Sequence, residues 1–177
     1  MNLVLAVAVL VSTAALVALV RLLKKMGDAG RNLPVTADWI DQLSIERYRP
    51  MMRLLDGAEM TSLRSQPGFT KQAAQKLREQ RCKMFRSCLD SLSTDFGRIC
   101  GAIRILMVQS KDDRTDLAAA LIRQQFLFAS GVLAAEVRLV LYRFGWCGVE
   151  VTELLKNFEL MRLELRSLVP SVMPSGA

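Results

Sequence analysis

Residues 85–106 read FRSCLDSLSTDFGRICGAIRIL, and within them Phe85, Leu89, Leu92, Phe96, Ile99, Ile103 and Leu106 recur at spacings of 4, 3, 4, 3, 4 and 3. That is a heptad seam over three repeats, which only an α-helix can present along one side. Met84, Cys88, Cys100 and Met107 widen the seam into a stripe broad enough to face a bundle. Thr70 is a good N-cap for this helix, and no proline follows until Pro170. The spacing therefore predicts a helix of about forty residues and about 60 Å, with room for a bend near Gly97.

Working toward the C-terminus, KDDRTD at residues 111–116 ends the long helix and caps the next, because acidic side chains suit free amides at a helix start. A calcium loop would need a glycine and a distal glutamate that this turn lacks. Residues 117–144 form the most apolar segment of the body, and FLFASGVLAA at 126–135 is ten residues without charge. Ten is short for a membrane span and suits the central helix of a bundle; a re-entrant membrane contact is the alternative. GWCG at 145–148 makes a turn, with Trp146 expected over the bundle end. A last helix over residues 150–169 carries Val151, Leu154, Leu155, Phe158, Met161, Leu165 and Leu168 on one side, with Glu159, Arg162, Glu150 and Lys156 as a solvated charged face. Short connections make these three long helices antiparallel neighbours.

Working toward the N-terminus, SQPGF at 65–69 stops a short helix that Asp56 can cap, and SIERYRPMMRLL at 44–55 continues another that carries Trp39, Ile40 and Leu43. Pro50 is expected to break or kink that continuation near Tyr48 and Arg49. Trp39 and Tyr48 suit packing on the bundle or an aromatic position at a membrane interface. MGDAGRNLPVTA at 26–37 has two glycines and a proline without periodicity and reads as a linker.

Before the linker lies LVLAVAVLVSTAALVALV, residues 3–20, eighteen residues without a charge. At 1.5 Å per residue they extend about 27 Å, close to the hydrocarbon thickness of a bilayer. Only Met1 and Asn2 precede the run, whereas Arg21, Lys24, Lys25 and Arg31 follow it. A cleaved signal peptide would put the charge first, and a core helix would need protein on all sides. The charge order favours an uncleaved single-pass anchor with its N-terminus outside and the body in the cytoplasm.

The expected organisation is an all-α chain: an N-terminal transmembrane helix with basic flank (1–25), a linker (26–37), an antiparallel helical bundle of three long helices plus short N-terminal ones (38–169), and a disordered tail (170–177). Outside residues 1–32, which hold four Lys or Arg against one Asp, the formal charge falls from +7 to +4. That modest excess is diagnostic of no single anionic partner. The four cysteines, Cys82, Cys88, Cys100 and Cys147, contain no CxxC pair and read as reduced core or boundary thiols. The chain has no histidine. Imidazole acid–base catalysis, haem ligation through imidazole and the usual histidine-bearing zinc and di-iron sites are thereby excluded. No catalytic residue, metal site or cofactor is assigned.

Three constellations remain. Gly97 and Gly101 form GxxxG inside a helix, each costing about 1 kcal/mol relative to alanine, which close helix packing or a ligand slot would offset. Folding back at the turn near Asp113 sets these glycines opposite residues 125–129, where Phe126 or Phe128 can fill the groove. The same folding sets Glu136, whose neighbours one turn away are apolar, near Arg86 on one side and Lys156 and Arg162 on the other. A structural ion pair is the leading assignment for Glu136, with a catalytic carboxylate, or a place beside a ligand slot with Gly97 and Gly101, as the alternatives. Finally, Lys71, Lys76, Arg78, Arg81, Lys83 and Arg86 make the start of the long helix basic, offset by Glu79. They suit a solvated helix end or contact with an anionic surface, and the absence of interleaved aromatics argues against nucleic acid.

LPVTADW (33–39), RYRPMMRLLD (47–56), SQPGF (65–69) and LMVQS (106–110) together resemble an uncharacterised bacterial family of small membrane-anchored helical proteins. The resemblance implies a bacterial inner-membrane location and supplies no activity or site residue. The expected function is a membrane-anchored interaction or scaffold protein that binds another protein or itself. The alternatives are a small-ligand-binding or enzymatic bundle, and a binder of anionic lipid or nucleic acid through the basic helix start.

Overall fold

The computed structural model describes residues 2–28, 40, 42–55, 62, 70–109, 115–144 and 149–169, and every regular element among them is a helix. These are α1 (Asn2–Asp28), a 3-10 turn (Ile45–Tyr48), α2 (Arg49–Leu54), α3 (Lys71–Gln109), α4 (Thr115–Arg143) and α5 (Thr152–Leu168). The Trp39 and Trp146 positions, the turn at 111–114, the short helix after Asp56 and the tail lie outside the described residues.

α3 is the element the others pack on. Its seam is buried as the spacing requires: Phe85, Leu89, Leu92, Phe96, Ile99 and Ile103 are closed to solvent and Leu106 is half-buried. Of the widening residues Cys100 is buried, Cys88 and Met107 are half-buried, and Met84 is exposed. Thr70 caps the helix, its Oγ1 accepting from the Ala73 amide at 3.2 Å. Contacts with α4 pair Glu79 with Arg143, Arg86 with Glu136, Phe96 with Phe128 and Arg104 with Gln125, so numbers rise along one helix as they fall along the other. Phe96 and Phe128 stack with centroids 3.8 Å apart and planes 3° apart.

α5 buries Leu154, Leu155, Phe158, Met161 and Leu165. It lies close to α4 at Gly131, where a Cβ would stand 3.3 Å from Leu154 Cγ. Its expected solvated face is partly closed: Arg162 and Glu159 side chains are 17% and 29% exposed, and Arg162 Nη1 donates to the Leu43 carbonyl at 3.4 Å. Leu43 and the 3-10 turn that follows it pack against α5 here, which removes water that the charge pattern alone implies.

The 3-10 turn gives way to an α-helix between Tyr48 and Arg49, where the break or kink before Pro50 is expected, and Pro50 stands at the start of the new helix. Ile45–Tyr48 is a 3-10 turn capped by Ser44, and Pro50 occupies the first turn of α2, where its missing amide has no intrahelical acceptor to serve. Tyr48 is buried, with its ring edge-on to Phe158 at 5.8 Å. Its hydroxyl donates to Asp95 Oδ2 at 2.6 Å, and Arg98 Nη1 donates to Asp95 Oδ1 at 3.3 Å. Burial, reinforced by that carboxylate, pushes the Tyr48 phenol well above its ordinary value.

Two expectations about the apolar helices change. α1 continues through Gly27 to Asp28, so the first linker residues are helical. Its C-terminal half docks on α3 and α4: Leu19, Leu22 and Leu23 pack against the core, Met26 is inside it, and Lys25 pairs with Asp90. Every described side chain from Leu5 to Ala14 is exposed. α4, expected at the centre, lies at the side: it touches α1, α3 and α5, whereas α3 touches α1, α2, α4 and α5. One face of α4 is buried, and Ile122, Phe126, Val137, Val140 and Phe144 are exposed on another.

Candidate anion-binding cleft

The start of α3 and the end of α4 enclose two adjoining cavities of about 560 and 700 Å³, which share Gln75, Arg143 and Phe144. The helix begun at Thr70 brings Lys71, Arg78, Lys83 and Arg86 to their walls, and α4 adds Arg143 across from them. Glu79 is the acid among the lining residues, and Cys82, Leu139, Val140 and Phe144 supply the apolar surface. Arg143 reaches Glu79 at 3.5 Å. Arg86 donates to Glu136 Oε2 from Nε at 3.2 Å and from Nη2 at 2.9 Å, which raises the guanidinium above its ordinary value and holds it charged. No carboxylate among the described residues lies within ion-pair distance of Lys71, Arg78 or Lys83. The cleft therefore carries an unbalanced positive field beside an apolar wall, an arrangement that takes an anionic group attached to something apolar.

Four of the six basic residues expected at an anionic contact line this cleft. Lys76 is exposed outside the lining, and Arg81 turns inward beside the Tyr142 hydroxyl. Arg143 and Phe144 come from the next helix, and only the fold-back register could have brought them to the basic end. Burial pushes the Cys82 thiol up, with Arg143 and Arg86 pulling the other way, so the cleft presents no activated thiolate.

Gly97, Gly101 and Glu136 do not share one site. Gly97 is buried and Gly101 half-buried in the packed interior, whereas Glu136 pairs with Arg86, eleven residues and about 16 Å along α3 from Gly97. Phe128 lies in that interior and Phe126 points to solvent. Of the partners expected for Glu136, Arg86 is in place, while Arg162 pairs with Glu159. The buried Tyr48–Asp95–Arg98 set has no counterpart among the sequence assignments. A signal for it exists, since Asp95 stands one turn from both Leu92 and Ile99 on the seam side of α3. Cys82, Cys88 and Cys100 are free thiols, and no group of three His, Cys, Asp or Glu among the described residues could hold a metal ion. Comparison with known protein families, with curated proteins and with solved structures finds no match to this chain.

Proposed function

We propose that the chain is a single-pass, membrane-anchored antiparallel helical bundle that acts as a binding module, holding the acidic surface of a partner protein in the cleft between α3 and α4. The observation that carries this reading is the cleft: five cations from two helices converge on a space walled by Val140 and Phe144 and faced, among the described acids, by Glu79 alone. The opposed numbering of the α3–α4 contacts supports the antiparallel course. The exposed apolar side chains of Leu5, Val9 and Leu10 support a membrane role for α1, and the cations after residue 20 support a cytoplasmic body. Its assignment to a bacterial inner membrane rests on the family resemblance and belongs to the same proposal. By length and composition Asp116–Arg143 could also cross a membrane. Its continuous packing against the charged helix α3 favours a place in the body.

A photo-crosslinking residue in place of Gln75, which lines both cavities, tests the reading in whole cells. The expected result is an adduct with an acidic protein segment that disappears in the Lys71→Glu/Arg78→Glu/Lys83→Glu variant while helicity is kept. No protein adduct, or an adduct indifferent to the charge reversal, would overturn it.

A further inference from the structure

We infer that Glu79 is a competitor built into the cleft: it holds Arg143 in the resting chain and yields it to an acidic side chain of the partner. This regulation rests on the protein-partner reading of the same site. The two guanidinium–carboxylate pairs that border the cleft differ in kind. Arg86 meets Glu136 through two nitrogens, at 2.9 and 3.2 Å, and is committed by that geometry. Arg143 meets Glu79 through Nη2 at 3.5 Å, with the two side chains 64% and 37% exposed. A long contact open to water contributes little, so exchanging it for another carboxylate costs little. Arg143 is also the last residue of α4, where the helix dipole favours a cation, and its guanidinium stays at the cleft whichever carboxylate it meets.

Position gives Arg143 a second place to act. It lines both cavities, whereas Glu79 lines one of them. The other cavity holds Lys71 and Arg78, and no acid is among the described residues that line it. A carboxylate seated there faces three cations, Arg143 included, where Glu79 engages one. The exchange does not strand Glu79. Lys83 lines the same cavity one turn on along α3, in the favourable order of Glu before Lys at a spacing of four. Val140 and Phe144 are exposed on the α4 side, so an apolar side chain next to the partner's acid completes the fit and excludes water from the new pair. Glu79 thus sets the affinity for an acidic segment below what the cations alone confer.

The test uses the full chain in mild detergent at low salt. Fluorescence anisotropy follows a dye-labelled peptide carrying two glutamates beside two leucines, and its counterpart with glutamine for glutamate. Circular dichroism checks that each variant is folded. Glu79→Gln should tighten binding of the glutamate peptide about fourfold, and Arg143→Gln should weaken it about fivefold. Added to Arg143→Gln, the Glu79→Gln change should bring a gain of less than about 1.5-fold, because the competition needs both residues. A gain of equal size with and without Arg143 would mark a general field effect and overturn the inference. Unchanged or weaker affinity in Glu79→Gln would overturn it as well. In either case, a preference for the glutamate peptide that disappears in Lys71→Glu/Arg78→Glu/Lys83→Glu leaves the cleft reading standing. No preference for the glutamate peptide in any variant would overturn the cleft reading and this inference together.

Discussion

Replacing Tyr48 by Phe removes one hydroxyl and leaves the ring in place against Phe158. That hydroxyl donates to Asp95 at 2.6 Å in a site where both residues are buried, and the remaining donor to the carboxylate, Arg98, stands at 3.3 Å with its side chain 41% exposed. A hydrogen bond to a charged group contributes about 1.5–3 kcal/mol, and here its loss also leaves a buried carboxylate oxygen short of a donor. Tyr48→Phe should therefore cost about 2 kcal/mol, or roughly 4–8 °C in Tm for a chain of this size. Asp95→Ala should cost more, since it strands the Tyr48 hydroxyl and opens space beside Phe96. In the double variant the two losses overlap, so the cycle should return a coupling of about 1.5 kcal/mol or more, read from thermal unfolding at 222 nm in mild detergent. Losses that add to within about 0.5 kcal/mol would show that the pair is not energetically joined, and would refute its role in fastening the 3-10 turn to α3.

Glu136→Gln should lower stability by no more than about 1 kcal/mol, because the Arg86 side chain is 60% exposed; chemical unfolding at neutral pH checks this, and a much larger loss would mean that the pair is effectively buried. Gly27→Ala, with nothing within 4 Å of the added Cβ, should raise stability by about 0.5–1 kcal/mol, whereas at Gly131 the Leu154 contact should cancel much of that gain; parallel melting curves compare them. Burial pushes the Cys100 thiol up to about 11, with Gln125 and Arg104 opposing, so the folded state holds its proton more tightly than the unfolded chain does. That contribution is complete below about pH 9 and lost as pH rises through about 11. Between pH 9 and 10, below the range where Tyr48 adds its own loss, Cys100→Ala should flatten the decline in Tm.

The α3 seam was legible because its apolar residues alternate with polar ones at a helical period, and the contrast fixes the inward face. The same contrast carried the register far enough to bring Glu136 to Arg86. It fails for α1, where Leu19, Leu22, Leu23 and Met26 form a docking stripe inside a run too uniformly apolar for any face to stand out. It fails again for α4: a helix with a ten-residue uncharged run suggests surrounding protein, yet Ile122 and Phe126 are open. Pro50 marked the boundary near Tyr48 and Arg49, but not that its ring opens a new helix, because a proline in the first turn of one helix looks the same in sequence as a proline ending another. In the cleft, the basic residues of α3 were visible as a cluster, but the direction each side chain takes depends on α4. Hence Arg81 leaves the set and Arg143 joins it.

Membrane residence and orientation meet in one measurement: the activity of a reporter that works only in the cytoplasm, fused after Ala177 and assayed in separated membrane and soluble fractions. An anchor at residues 3–20 with the cations behind it predicts reporter activity that sediments with the membranes and resists alkaline extraction. Activity in the soluble fraction, or activity only from a reporter that works outside, would contradict the anchored cytoplasmic bundle.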